Sequence, residues 1–75
     1  MIRLTVQEQA EARRRIGIMV DDKNMFYARL KDNWYTFPRD SIVVVDRKKK
    51  WYYVMGSDGV MSGPMNKDLN KILEK

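Results

Sequence analysis

Ile42-Val43-Val44-Val45-Asp46-Arg47-Lys48-Lys49-Lys50-Trp51-Tyr52-Tyr53-Val54-Met55 is the stretch on which the fold turns. Two runs of strand length and β-branched or aromatic composition flank four consecutive cations, which reads as a hairpin with a basic end. Ile42 to Val45 has no polar alternation, so it is expected in the middle of a sheet with both faces covered. Trp51 to Met55 then pairs back across the basic knuckle.

Upstream, Met25 to Lys31 reads as a strand with Phe26, Ala28 and Leu30 on one face. Asp32-Asn33 looks like a polar break before Trp34-Tyr35-Thr36-Phe37, and the pair predicts a second hairpin. Pro38 cannot donate to a ladder, so pairing should stop there. Asp21-Asp22-Lys23-Asn24 has turn chemistry and interrupts the apolar run Ile16 to Val20. Thr5-Val6-Gln7-Glu8 has the Ser/Thr-x-x-Glu form of a capping box, so a helix should start there, with Gly17 placed to end it. Arg13, Arg14 and Arg15 suit the negative end of its dipole.

Downstream, Gly56-Ser57-Asp58-Gly59 reads as a turn, Val60-Met61 as a last short strand and Gly63-Pro64 as a stop. Asn66 is a cap for a final helix whose Leu69, Ile72 and Leu73 form an i, i+3, i+4 stripe. The expectation is therefore α+β: a helical segment over 1–17, an antiparallel meander of four to five strands over 18–63 and a helix over 65–75, all in one domain. A sheet this short is expected to curl strongly, as in an SH3-like half-barrel.

Composition narrows function more than it names it. The chain of 75 residues has no cysteine and no histidine, which removes thiolate chemistry, the commonest zinc ligand and the commonest general base. Asp21-Asp22 and Asp40-Ser41 stand where turns and strand entries want such residues, so no catalytic, metal or cofactor site is assigned. Met1 to Arg15 lacks the apolar core of a signal peptide, and no apolar run approaches the ~20 residues of a membrane span. The expectation is a cytoplasmic, non-enzymatic protein that does not engage membranes.

The net charge is +5, from 15 Lys and Arg against 10 Asp and Glu, and it favours polyanionic or acidic partners. Candidate contact residues are Arg47, Lys48, Lys49 and Lys50 with Trp51 and Tyr52 as stacking faces, helped by Arg13, Arg14 and Arg15. Trp34 and Tyr35 add further rings. Basic groups next to aromatics suit a nucleic-acid backbone and its bases. Tyr, Trp and Arg also anchor protein interfaces, so an inhibitor or accessory module of the kind that phages carry is the alternative.

Lys50-Trp51-Tyr52-Tyr53-Val54 followed by Ser57-Asp58-Gly59-Val60-Met61-Ser62-Gly63 resembles one unit of the choline- or cell-wall-binding repeats of Gram-positive surface proteins. Asn33-Trp34-Tyr35-Thr36-Phe37 with Asp40 would be a degenerate earlier copy. The resemblance implies an aromatic cage for a quaternary ammonium, held by cation–π attraction. It departs from the repeat by an extra residue before Asp58-Gly59 and by Pro64 where an aromatic is usual.

Overall fold

The computed structural model describes residues 4–16 and 23–74. Helix α1 (Val6–Ile16) begins at the expected capping box. The Glu8 amide donates to Thr5 Oγ1, and the Thr5 amide donates to Glu8 Oε1, each at 3.0 Å. The stop at Gly17, the run Ile18 to Val20 and the turn residues Asp21 and Asp22 lie outside the described residues.

Among the described residues five strands follow: β1 (Met25–Leu30), β2 (Ile42–Asp46), β3 (Trp51–Met55), β4 (Val60–Pro64) and β5 (Leu73–Glu74). They form one antiparallel sheet in the order β4-β3-β2-β1-β5. The central hairpin is as the sequence predicts, with Val43, Val44 and Val45 opposite Val54, Tyr53 and Tyr52. All three valines are buried, because β2 has a covering layer on each face.

One layer gathers Ala28, Leu30, Val43, Val45, Tyr52 and Val54 against Leu69 and Leu73 from the C-terminal segment. On the opposite face Val44 and Met55 pack against Ala12 of α1. Glu8 pairs with Arg29 on β1 at 2.6 Å, while Arg15 donates to carbonyls of the β3–β4 turn. Two strand spacings, about 10 Å, separate those anchors, and the seven-residue rise from Glu8 to Arg15 is also about 10 Å. Helix α1 therefore lies across the strands, at the end of the sheet opposite the β2–β3 turn.

Two expectations are corrected. Strand β1 does not pair with Trp34 to Phe37; its partners are β2 and β5. Trp34 and Phe37 close on each other through two hydrogen bonds of 2.8 Å, with Tyr35 left-handed at φ 53°. That miniature turn uses up the run before Pro38, and the more apolar Ile42 to Val45 takes the place beside β1.

The second correction concerns the C-terminus. Helix α2 (Lys67–Lys71) is capped by Asn66, whose Oδ1 accepts from the Leu69 amide at 2.8 Å. It ends at Ile72, where the backbone leaves helical geometry. Leu73 and Glu74 then pair with Leu30 and Arg29, and the Lys31 amide donates to the Ile72 carbonyl at 2.6 Å. The stripe faces the core as predicted: Leu69 and Leu73 are buried and Ile72 packs beside them. Leu73 does so from a strand.

Among the described residues the sheet is open, with β4 and β5 as its two edges.

Candidate functional site

The basic knuckle is a four-residue connection from Asp46 to Trp51, which are themselves a cross-strand pair. Asp46 is the reason it is tight. The residue is 4% exposed, and one carboxylate oxygen accepts from the amides of Lys48 and Lys49, each at 3.0 Å. Lys50 completes the reversal in the left-handed region at φ 54°. The Arg47 amide donates to the Asn24 carbonyl at 2.7 Å, which ties the turn to the entry of β1. Arg47, Lys48, Lys49 and Lys50 are all exposed.

Within this cluster Arg47 differs from the lysines. Its guanidinium lies 4.6 Å above the ring of Phe26, a cation–π contact that lays the side chain along the sheet. Two further cations arrive from distant parts of the chain. Lys23 precedes the Asn24 carbonyl that holds Arg47. The Lys50 carbonyl accepts from the Met65 amide at 2.9 Å, two residues before the exposed Lys67. Lys23 and Lys67 escape sequence reading because only backbone pairing across strands brings them to the knuckle.

The second predicted cluster does not join the first. Helix α1 ends at the β3–β4 turn, and five-residue β3, about 17 Å long, separates that turn from the knuckle. Arg15 is half-buried and donates to the Gly56 and Gly59 carbonyls, the latter at 3.3 Å, so it is a structural brace. Arg14 pairs with Glu11 within the helix, and Arg13 is exposed on it.

The rings divide in the same way. Trp51 is half-buried beside Lys50 and opposite Asp46 and Pro64. Tyr52 is 6% exposed and belongs to the core, which corrects its assignment as a stacking face. Its ring covers Gly63, where an added Cβ would come within 3.3 Å. Trp51 and Tyr52 are adjacent in a strand and project to opposite faces, so they do not form two walls of one cage. Trp34 packs against the core with its indole N–H shielded and without an acceptor. Tyr35 stands 78% exposed with its ring edge-on to Trp34 at 4.9 Å. Both belong to the β1–β2 connection, at the end away from the knuckle.

That far end also holds an open groove of about 400 Å³, lined among others by Arg15, Phe37, Met55, Asp58 and Val60. Its one strong cation, Arg15, is already engaged with backbone carbonyls. At the start of α1 the Glu8 carboxyl is held below the usual glutamate range, chiefly by the Thr5 amide and then by Arg29. This is an ordinary cap and ion pair.

No helix among the described residues is long and apolar enough to cross a membrane. In comparison with known proteins, the chain matches no family model, no curated sequence and no solved structure.

Proposed function

We propose that this is a non-enzymatic binding protein that engages nucleic acid through the knuckle end of its sheet. Lys48, Lys49 and Lys50 are the phosphate contacts, extended by Lys67 and Lys23, and half-buried Trp51 follows them in β3. The observation that carries this reading is that backbone bonds from Arg47 to Asn24 and from Met65 to Lys50 bring three cation-bearing connections to one end of the sheet. The carboxylate at the base of the knuckle, Asp46, is buried and turned inward to backbone amides. Such an arrangement attracts a phosphate backbone by releasing its counterions, without regard to sequence.

The competing reading is an accessory protein that caps an acidic protein surface. It draws on Tyr35, exposed at the opposite end, since isolated aromatic anchors suit protein interfaces. Anisotropy titrations with labelled single-stranded and duplex oligonucleotides at low salt separate the two. The nucleic-acid reading expects saturable binding that weakens when Lys48, Lys49 and Lys50 are all changed to Ser and persists in Tyr35→Ala. Absence of binding at low salt would leave the protein-capping reading.

A further inference from the structure

Among the described residues strand β4 is an edge, and its hydrogen-bond phase decides what it can offer. The Gly56 amide donates to the Gly59 carbonyl at one end of the β3–β4 ladder, and the Met65 amide donates to the Lys50 carbonyl at the other. Hydrogen-bonded and non-bonded pairs alternate along an antiparallel ladder. Counting inward from either end through the register gives the same result: Met61 and Gly63 face β3 with their amides and carbonyls. Val60 and Ser62 therefore point theirs outward, and Pro64, also in an outward position, has no amide to waste there.

Edge strands usually carry charges that discourage pairing. Here Gly59 to Asn66 is eight residues without a charge, the longest such stretch in the sequence. Its flanks are opposite in sign, with Asp58 before it and Lys67 after it, next to the knuckle. Val60 is 37% exposed. An antiparallel neighbour with the same sequence would set Asp58 of each copy toward Lys67 and the knuckle of the other. It would also hold the two basic ends apart, whereas a parallel neighbour would superimpose them.

We infer that β4 is a self-association edge, at which two copies join antiparallel into one continuous sheet. The register follows from Pro64. Centred on Met61, Val60 of each copy exchanges both hydrogen bonds with Ser62 of the other, and none of the four requires the proline. Centred on Ser62, Val60 would face Pro64 and one carbonyl on each side would lose its donor. The Met61-centred arrangement sets the two Met61 residues opposite each other as a non-bonded pair, with Cα atoms about 4.5 Å apart. A strand of this length makes a small interface, so association belongs to high protein concentration.

The test uses the full chain, which has no cysteine of its own. Sedimentation equilibrium should give a mass rising toward two chains with concentration. Ser62→Pro should abolish the rise, because the Ser62 amide is not used by β3; Val60→Lys should do the same if the proline variant fails to fold. Under mild oxidation Met61→Cys should form a disulfide-linked dimer several-fold faster than Val60→Cys or Ser62→Cys, since about 4.5 Å lies within disulfide reach. A single-chain mass at every concentration would overturn the proposal, as would association unchanged in both edge variants or faster cross-linking at Ser62→Cys.

Discussion

Glu8 joins a local signal to a distant one. Its backbone amide and carboxylate complete the capping box with Thr5, and the same carboxylate reaches Arg29 at 2.6 Å. The first contact was legible in the sequence, because a capping box is an i, i+3 relation. The second was not, because Arg29 lies 21 positions on and meets Glu8 only once α1 crosses the sheet. Since the folded carboxyl is held below its ordinary value, its contribution is complete above the unfolded pKa of about 4.3 and is lost as pH falls through the lower folded value. An NMR pH titration of the Glu8 side-chain carbonyl should show a midpoint below that of a peptide glutamate, and Arg29→Met should move it upward. Gly56 is a second residue whose role is steric. A Cβ there would stand 2.7 and 2.9 Å from two carbons of the Phe37 ring, closer than real contacts allow. Gly56→Ala is expected to cost about 1–3 kcal/mol in chemical denaturation, because Phe37 must shift from its place against the core.

Among the elements, the β2–β3 hairpin was the most legible, since composition, length and a charged turn all agreed. The pairing of β1 was not, because Asp32-Asn33 looks like a hairpin turn from sequence alone. In the fold, Asn33 Oδ1 instead accepts from the Arg39 amide at 2.9 Å, and the Asp40 amide donates to the Leu30 carbonyl at 2.9 Å. These bonds close a loop that delivers the chain to β2. The α2–β5 unit was half legible: its apolar stripe was clear, but nothing local indicated that Leu73 would switch to a strand. That switch completes the hydrogen bonding of β1 at Arg29 and Leu30, which β2 serves on one side only. A five-residue helix has little intrinsic stability, so α2 depends on its buried side chain. Leu69 is fully buried beneath the sheet, and Leu69→Ala should cost about 2–5 kcal/mol by urea denaturation. Amide exchange should then accelerate first at Lys31 and at the β1–β5 pairs.

At the scale of the whole fold, the cations of the described residues are distributed along the strands in a way that the linear sequence conceals. Two clusters of adjacent cations invite the idea of one convergent patch, yet α1 carries Arg15 to the Gly56 turn and strand β3 keeps that turn away from the knuckle. What the fold removes at one end it replaces at the other by adding Lys23 and Lys67. On the proposed nucleic-acid reading, the salt dependence of binding reads this redistribution directly. With three to four phosphates contacted at the knuckle end, log affinity for duplex DNA should fall with log salt at a slope of about −3 to −4. Changing Lys48 and Lys49 to Ser should flatten the slope by about 2 and weaken all sequences alike, because phosphate contacts carry no base information. The same pair should leave stability within about ±0.5 kcal/mol, since the turn is held by their backbone amides on Asp46. Arg13→Ser and Arg14→Ser should leave the slope where it was. A slope that responded to the helix arginines and not to the knuckle lysines would place the phosphate path at the other end of the sheet.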